Sequence, residues 1–387
     1  MSSEWRSGKL GDFIELKRGY DLPQARRSFG PYPLVSSAGV SDCNSEPMVR
    51  GPGVVTGRYG TIGQVHFVEQ DFWPLNTTLY VRDFKGNDPK FISYFLKTVD
   101  FFAYSDKAAV PGVNRNHLHE ARAVMPELAA QQRIARTLGA LDDRIALLRE
   151  TNVTLEAIAQ ALFKSWFVDF DPVRAKQQGL APDGMDEATA ALFPDSFEES
   201  ALGLVPRGWP VQTLEDLLVL QRGFDLPAQS RTPGCFRIIA ASGPSGTHVM
   251  AMAKGPGVVT GRSGVLGRVF LELGDYWPLN TTLWVKEFRA ATPCFAYELL
   301  RLLDFNAFNA GSAVPTLNRN HIHGLPYLVP VRVCVEAYER IAMHMHERVR
   351  VNEQQAQTLA TLRDTLLPRL ISGQLRLPDA EALQALA

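Results

Sequence analysis

Apolar residues follow a seven-residue repeat from residue 138 onward. The first heptad position holds Leu141, Leu148, Leu155 and Leu162, and the second holds Leu138, Ile145, Asn152, Ala159 and Trp166. Four heptads with this spacing predict a coiled-coil helix. Asn152 interrupts the apolar series, and a single polar residue at such a position commonly fixes the register of a helix pair.

A second heptad frame lies 204 residues further along the chain. Its two positions hold Met345, Asn352, Leu359 and Leu366, and Ala342, Val349, Ala356, Arg363 and Leu370. This seam is poorer, because Asn352 and Arg363 would be buried in it. Each helix would span roughly 35 residues and about 50 Å. Two ordinary core helices are the alternative, but such lengths favour an antiparallel coiled-coil pair. Its outer faces, with the aromatic end around Trp166, would dock partners.

Outside the heptads the pattern changes to short apolar runs bounded by Gly and Pro. Residues 53–56, 64–68 and 78–81 are typical of strands. One interruption has helical spacing, since Phe91, Tyr94, Phe95 and Val99 share a face. These segments predict a mixed domain of strands and a helix.

The whole pattern occurs twice, offset by 204 residues. RGYDLP at 18–23 returns as RGFDLP at 222–227, GPGVVTGR at 51–58 returns unchanged, and WPLNTTL at 73–79 returns at 277–283. AVPGVNRNHLH at 109–119 becomes AVPTLNRNHIH at 313–323, and 20 of 32 positions agree across 51–82. A unit of this size is a whole domain with its connector, copied once.

The repeat sets the predicted boundaries. We assign the first domain to 1–127, the central helix to 128–170 and a linker to 171–208, followed by the second domain at 209–330, the distal helix at 331–373 and a tail at 374–387. Asp171–Pro172 should stop the first helix, and Gly373 the second. The predicted fold class is α+β, with two repeated mixed α/β domains separated by the paired helices and related by a pseudo-twofold axis.

Two segments in each domain differ between the copies. Only 5 of 27 positions agree between 24–50 and 228–254, and only 7 of 26 between 83–108 and 287–312. If the domains bind two versions of one ligand, these segments should discriminate between them; loop drift is the alternative. Their candidate contact residues are cationic: Arg26, Arg27, Arg50, Arg231, Arg237 and Lys254.

Charge and cysteine content give only a moderate indication of the protein's partners and cellular compartment. The net charge is −1, but residues 1–125 and 209–330 each carry +2 (15 minus 13 and 10 minus 8), which weakly supports a nucleic-acid partner. Four cysteines lie far apart, and neither a signal peptide nor a long apolar run is present. We therefore expect a reduced cytoplasmic protein without a membrane segment.

Catalytic motifs are absent. The sequence contains no phosphate-loop GxxxxGK[ST], no HExxH, no GxSxG and no Asn/Asp-Pro-Pro-aromatic tetrapeptide. Residues 51–63 are glycine-rich, which indicates two tight turns flanking a strand. Alternatively, or in addition, they form a loop that brings Arg58 and Tyr59, and Arg262 in the second copy, to a ligand backbone.

The NRNH motifs also have two interpretations. Asn and Arg side chains contact base edges and phosphates, which makes Asn114, Arg115 and Asn116, with Asn318, Arg319 and Asn320, candidate DNA-binding residues. Equally, the asparagine is a turn residue and the histidines are structural. Two histidines at i, i+2 without a third ligand predict no metal site.

The order domain, helix, domain, helix, with FKSWFVDFDPV at 163–173 and LLPRLISGQL at 366–375, resembles the specificity (S) subunit of type I DNA restriction–modification enzymes over nearly the full chain. The resemblance implies that each repeat is a target recognition domain for half of a bipartite, asymmetric site in double-stranded DNA. It further implies that the helices are spacers that dock two methyltransferase (M) subunits.

By the same resemblance, the M subunits bind S-adenosylmethionine and methylate adenine N6, and a motor nuclease (R) using ATP and Mg²⁺ joins them. The S chain itself is non-catalytic and binds no cofactor. A tethering protein with two protein-binding domains on a coiled-coil rod is the chief alternative, and an enzyme of unrecognised type is the third.

Overall fold

The computed structural model describes residues 5–106, 112–308 and 315–375. The last residues of the segments 83–108 and 287–312 therefore lie outside the described residues. Most of the tail at 374–387 does so as well. The chain divides into two compact units, Met1–Arg149 with Glu353–Ala387, and Glu150–Asn352. Both units combine helices with mostly antiparallel sheets, which confirms the α+β class.

The first domain is built from short strands and helices. Its strands are β1 (Arg6–Lys9), β2 (Glu15–Arg18), β3 (Tyr32–Ser36), β4 (Gly39–Asn44), β5 (Gly53–Gly57), β6 (Val65–Val68), β7 (Trp73–Pro74), β8 (Thr78–Asp83), β9 (Ser105–Asp106), β10 (Gly112–Val113) and β11 (Arg122–Met125). Its helices are α1 (Leu10–Phe13), α2 (Pro89–Lys97) and α3 (Arg115–His119), and the long α4 (Leu128–Phe167) follows.

A four-stranded antiparallel sheet carries this domain, in the order β2-β8-β5-β6. A second, smaller sheet has the strand order β4-β3-β7, and in it β3 and β7 run parallel. The Asp88 carboxylate caps helix α2 by accepting the Phe91 N–H at 2.8 Å, and the helix buries the predicted aromatic face in the same core cluster as Val54 and Leu79. The predicted strands and the helix patch are confirmed here.

The second unit repeats the architecture. Its strands are β12 (Phe197–Ser200), β13 (Gly203–Pro206), β14 (Val211–Thr213), β15 (Leu218–Arg222), β16 (Phe236–Ala240), β17 (Gly243–His248), β18 (Gly257–Gly261), β19 (Val269–Glu272), β20 (Tyr276–Pro278), β21 (Thr282–Phe288) and β22 (Pro326–Leu328). Its helices are α5 (Asp171–Gln177), α6 (Glu187–Ala190), α7 (Leu214–Leu217), α8 (Pro293–Leu302), α9 (Arg319–His323) and α10 (Arg332–Ile371). The sheet orders β15-β21-β18-β19 and β17-β16-β20 match those of the first domain.

The connector at 171–208 is folded, unlike the linker expected from its prolines and acidic residues. It contains α5, α6 and the hairpin β12–β13. Val173, Phe193 and Val205 belong to the core of the second unit, and Trp166 packs edge-to-face on Phe193 with ring centroids 5.1 Å apart. Sparse but well-spaced apolar residues thus make this segment part of a domain.

The end of helix α4 differs from expectation, whereas the end of helix α10 agrees with it. Helix α4 ends at Phe167, and Asp171–Pro172 begins α5, because proline is well tolerated in the first turn of a helix. Helix α10 ends at Ile371, and Gly373 follows with a φ of +74°, a backbone conformation that favours glycine. Pro368 lies inside the last turns of α10.

In the first unit, the start of α4 runs antiparallel to the end of α10. Ile145 and Leu148 form a buried cluster with Ala356. One turn earlier along α4, the Arg363 guanidinium donates to Asp142 at 2.6 Å, so Arg363 is half-buried and paired. The Tyr94 hydroxyl also donates to Asp142, at 2.6 Å, which ties helix α2 to this ion pair.

In the second unit, the remaining halves of the same helices pair in the same sense. Asn352 donates to the Asn152 side-chain oxygen at 2.8 Å, and Asn152 donates to the Val349 carbonyl at 3.3 Å. Leu155 and Leu162 are half-buried here, whereas Leu141 and Leu148 in the first unit are buried. Aromatic residues on both sides take over the packing, and Trp166 is only 3% exposed.

The unequal burial of the heptad leucines gives a first prediction. Leu148→Ala should lower the free energy of unfolding by about 2–5 kcal/mol, since it leaves a cavity in a buried cluster. Leu155→Ala, the matched truncation at a half-buried position of the same heptad, should lower it by less. Urea unfolding of both variants compares them, and equal losses would contradict the burial described here.

A buried histidine gives a second prediction. Burial, with Arg301 adding to it, lowers the pKa of His346 to about 4, and the ring packs edge-to-face on Tyr297. His346 therefore becomes protonated near pH 6.5 in the unfolded chain but stays neutral down to about pH 4 in the native protein. His346 should thus reduce stability progressively as pH falls from about 6.5 to 4, by up to roughly 3 kcal/mol. His346→Leu should lose less stability over this window in denaturant melts, and identical pH profiles would contradict the assignment.

Candidate nucleic-acid interface

Three arginines from separate parts of the first domain line one cleft. Arg18 ends β2, Arg58 follows β5, and Arg115 begins α3. The rest of the lining is Tyr59, Leu79, Val113 and Asn114. We call this the first arginine cleft. Among the described residues that line it, none is acidic.

Backbone hydrogen bonds position Arg58 at the centre of this cleft. Its N–H donates to the Thr77 carbonyl at 2.9 Å, and its carbonyl accepts the Val113 N–H at 3.0 Å. The preceding Gly57 allows this path, because a Cβ there would overlap the Thr61 carbonyl. The Arg58 guanidinium lies over the Tyr59 ring, 4.5 Å from its centroid. Both interpretations of the glycine-rich segment are therefore compatible: it forms turns around a strand and presents Arg58.

The NRNH motif supplies the third side of the cleft. The Asn114 side chain caps α3 by accepting the Asn116 N–H at 3.0 Å, and the exposed Arg115 follows on the first turn. His119 is structural, since its Nε2 accepts the Leu16 N–H at 2.9 Å. Burial lowers the pKa of His119, and the nearby Arg115 adds to this, so the ring stays a neutral acceptor near pH 7.

The second domain contains the same cleft at the equivalent positions. Its lining includes Arg222, Arg262, Asn318 and Arg319, with Leu283, Thr316 and Leu317. Arg262 donates its N–H to the Thr281 carbonyl at 2.8 Å, and His323 accepts the Leu220 N–H at 2.9 Å. Asn318 caps α9 through the Asn320 N–H at 3.0 Å. We call this the second arginine cleft, and its described lining is also free of acidic residues.

A short polar chain holds the first arginine of each cleft. Arg18 pairs with Asp21 at 3.4 Å, and the Asn76 amide of the WPLNTT motif donates to the same carboxylate. Arg222 pairs with Asp225 at 3.3 Å, and Asn280 donates to Asp225. Both arginines remain half-exposed, so each cleft presents three cations against one carboxylate. Such an arrangement favours an anionic ligand.

The cations of the differing segments fall into two groups. Arg26, Arg50 and Lys254 are exposed. Arg27 and Arg231 instead brace their own loops, donating to the Leu22 and Leu226 carbonyls at 3.5 and 3.4 Å. Arg237 is paired with the buried Glu272 at 3.3 Å. Arg237 is exposed too but holds this ion pair, so Arg26, Arg50 and Lys254 are the stronger candidates for a contact surface.

Sequence reasoning missed Arg18 and Arg222. The signal was available, because RGYDLP and RGFDLP are nearly identical between the copies. What the sequence lacks is the fold that brings residue 18 to residues 58 and 115.

The described residues contain neither a metal-binding cluster nor a membrane-spanning helix. Within 5–106, 112–308 and 315–375, no group of three or more His, Cys, Asp or Glu side chains is arranged to hold a metal ion. None of the described helices is both long and apolar enough to cross a membrane.

Comparisons with known proteins agree with this geometry. Residues 2–157 match the family described as type I restriction modification DNA specificity domain. The chain is 21% identical over 379 residues to the type I restriction enzyme MjaIX specificity subunit of Methanocaldococcus jannaschii, covering 89% of this chain and 82% of that protein. It is 24% identical over 390 aligned positions to the HindI specificity subunit of Haemophilus influenzae, covering 81% and 84%.

A solved structure shares the fold. The type I restriction–modification S subunit from M. genitalium superposes with a TM-score of 0.65 at 16% identity, covering 95% of this chain and 96% of that one. The fold repeats one domain twice in this chain, and each copy carries an arginine cleft. The match over residues 2–157 and the similarity to these two specificity subunits support the resemblance to type I restriction–modification specificity subunits seen in the sequence.

Removing a cleft arginine should affect all DNA sequences alike. Arg58→Gln and Arg262→Gln should each weaken binding to specific and unrelated DNA by a similar factor and reduce the salt slope by about 1, as expected for a lost phosphate contact. Fluorescence anisotropy over a salt series measures both quantities. Arg207→Gln, an equal charge change at an exposed residue outside the clefts, should leave the slope unchanged. A loss confined to the specific sequence would assign the arginine to base contact instead.

Proposed function

We propose that this chain is the non-catalytic DNA-reading subunit of a type I complex, with each repeated domain recognising one half of a bipartite, asymmetric site. One observation carries the proposal. The arginine clefts are the same in both domains, whereas 24–50 and 83–108 differ from 228–254 and 287–312.

This division matches how proteins bind DNA. Phosphate contacts fix position without reading sequence, and contacts to base edges supply specificity. Repeated cations suit the phosphates, which are the same in every site. Segments that differ suit bases that differ, and Arg26, Arg50 and Lys254 are among their exposed cations.

The long helices are proposed to hold the domains apart and to dock two M subunits. Each helix has 40 residues, about 60 Å, which exceeds the 34–36 Å of one B-DNA turn. Val153 and Ile158 on α4 are 69% and 46% exposed, as expected of a face that a partner covers. Trp166 is buried in its own unit, so docking at that end would use its exposed neighbours. S-adenosylmethionine, and the ATP and Mg²⁺ used by R subunits, would bind those partners.

The purified chain should turn over nothing by itself. Incubation with DNA, S-adenosylmethionine, ATP and Mg²⁺ should give neither methylated nor cleaved product, while the same mixture with M subunits should methylate adenine. Mass spectrometry of digested DNA measures the methyl group. Activity of the isolated chain that survives rigorous repurification would overturn the non-catalytic assignment.

Exchanging the differing segments should change the target. Replacing 24–50 and 83–108 by 228–254 and 287–312 should convert the site toward an inverted repeat of the second half-site, since both domains would then carry the same reading surface. Methylome sequencing of cells that express the exchanged chain with its M subunits reads out the motif. An unchanged motif from an active complex would place base reading elsewhere.

A further inference from the structure

A large aromatic side chain stands almost entirely in solvent on the first domain. Phe29 is 97% exposed and lies just after the 3-10 turn Gln24–Arg26 in the first differing segment. Among the described residues it is the most exposed of the large hydrophobic side chains. An isolated exposed apolar residue is ordinary on a protein surface. The backbone around Phe29 makes it unusual.

Both neighbours of Phe29 are fixed. The Ser28 N–H donates to the Asn44 side-chain oxygen at 3.0 Å, and the Ser28 carbonyl accepts the Ser45 N–H at 2.8 Å. On the other side, Gly30 packs so closely on β4 that a Cβ would overlap the Asn44 and Ser45 backbone. The loop is therefore a rigid mount that holds the ring outward.

The second domain builds the same mount with different side chains. The Thr232 N–H donates to Nδ1 of the buried His248 at 3.1 Å, and the Thr232 carbonyl accepts the Val249 N–H at 3.1 Å. Gly234 again lies against the neighbouring backbone. Pro233 takes the place of Phe29 and is exposed. The mount is kept while the presented residue changes, as expected of a position that distinguishes two targets.

This loop is tied to the first arginine cleft. Arg27 donates to the Leu22 carbonyl at 3.5 Å and pairs with Asp42 of β4 at 3.6 Å. Leu22 follows Asp21, the carboxylate that holds Arg18 in the cleft. The loop that carries Phe29 is thus connected to the residues that hold Arg18 in the cleft.

We propose that Phe29 reads a thymine in the first half-site through the 5-methyl group in the major groove. This rests on the proposed function. In the major groove the thymine methyl is the apolar feature of the base edges, and phenylalanine is among the residues that contact it. A rigidly held ring loses little freedom on contact, so the gain from covering the methyl is kept.

The test uses the full chain assembled with its M subunits. The methylated motif is found first, and the segment exchange identifies the half read by the first domain. Each thymine of that half is then replaced by uracil, which removes only the methyl. At one position the replacement should weaken binding of the wild type about three- to tenfold, the worth of burying one methyl group. Phe29→Pro should bind the thymine and uracil duplexes equally.

Phe29→Pro is the matched variant, because proline occupies this position on the same mount in the second domain. Phe29→Leu, which keeps an apolar side chain, should retain part of the preference for thymine. Uracil replacements in the second half-site should affect wild type and Phe29→Pro equally, which controls for general effects on the duplex.

Several outcomes overturn the inference. They are a first half-site of G·C pairs alone, thymine and uracil bound equally by the wild type, and a thymine preference that survives Phe29→Pro. A variant that no longer assembles with M subunits but binds DNA as before would assign Phe29 to a protein contact. If the wild-type complex shows no sequence preference, the proposed function itself fails.

Discussion

The hydrogen-bonded pair of Asn152 and Asn352 constrains the long helix seam more than any apolar contact in it. The two side chains meet at 2.8 Å among buried neighbours, and Asn152 also donates to the Val349 carbonyl. Sliding one helix by a turn would leave both amides buried without partners, at a cost of about 1–3 kcal/mol for each unsatisfied group. Leucine contacts alone tolerate such a shift far better, because one heptad of leucines resembles the next. The pair therefore fixes which residues of α4 and α10 face each other.

The repeated domain separates two demands that DNA recognition places on one surface. Residues that recur at an offset of 204 build the sheets, the helix caps and the arginine clefts. The histidines illustrate this. His119 accepts a backbone N–H from β2, which ends at Arg18, and His323 accepts one from β15, which ends at Arg222. Some of the residues that do not recur, Phe29 and Pro233 among them, lie in loops braced by Arg27 and Arg231, which are themselves retained. The residues that differ between the domains can therefore change while the repeated scaffold stays the same.

The repeat and the heptads were readable in the sequence because both are periodic. The strands β5, β6 and β8 and the helix α2 follow from Gly and Pro boundaries and from aromatic spacing. The folded connector at 171–208 could not be predicted, because Val173, Phe193 and Val205 have no periodic spacing in the sequence. Only the structure shows that they pack in one core cluster with Trp166. Heptad position does not reveal that Leu155 and Leu162 are only half-buried, because Phe163, Phe167 and Tyr338 supply the packing there. The placement of Arg18 and Arg222 in the clefts could be recognised only from the three-dimensional fold.

The division of the chain into units also has a consequence for the order in which the protein is made. The second unit, Glu150–Asn352, is continuous, so all of its residues are synthesised before residue 353. The first unit holds Leu366, Leu370 and Ile371 in the same core cluster as Leu10 and Phe91. Its core stays open on the ribosome until the last helix emerges, although its strands are made first. The first unit is therefore completed after the second, and during that interval its apolar face is exposed to other nascent chains.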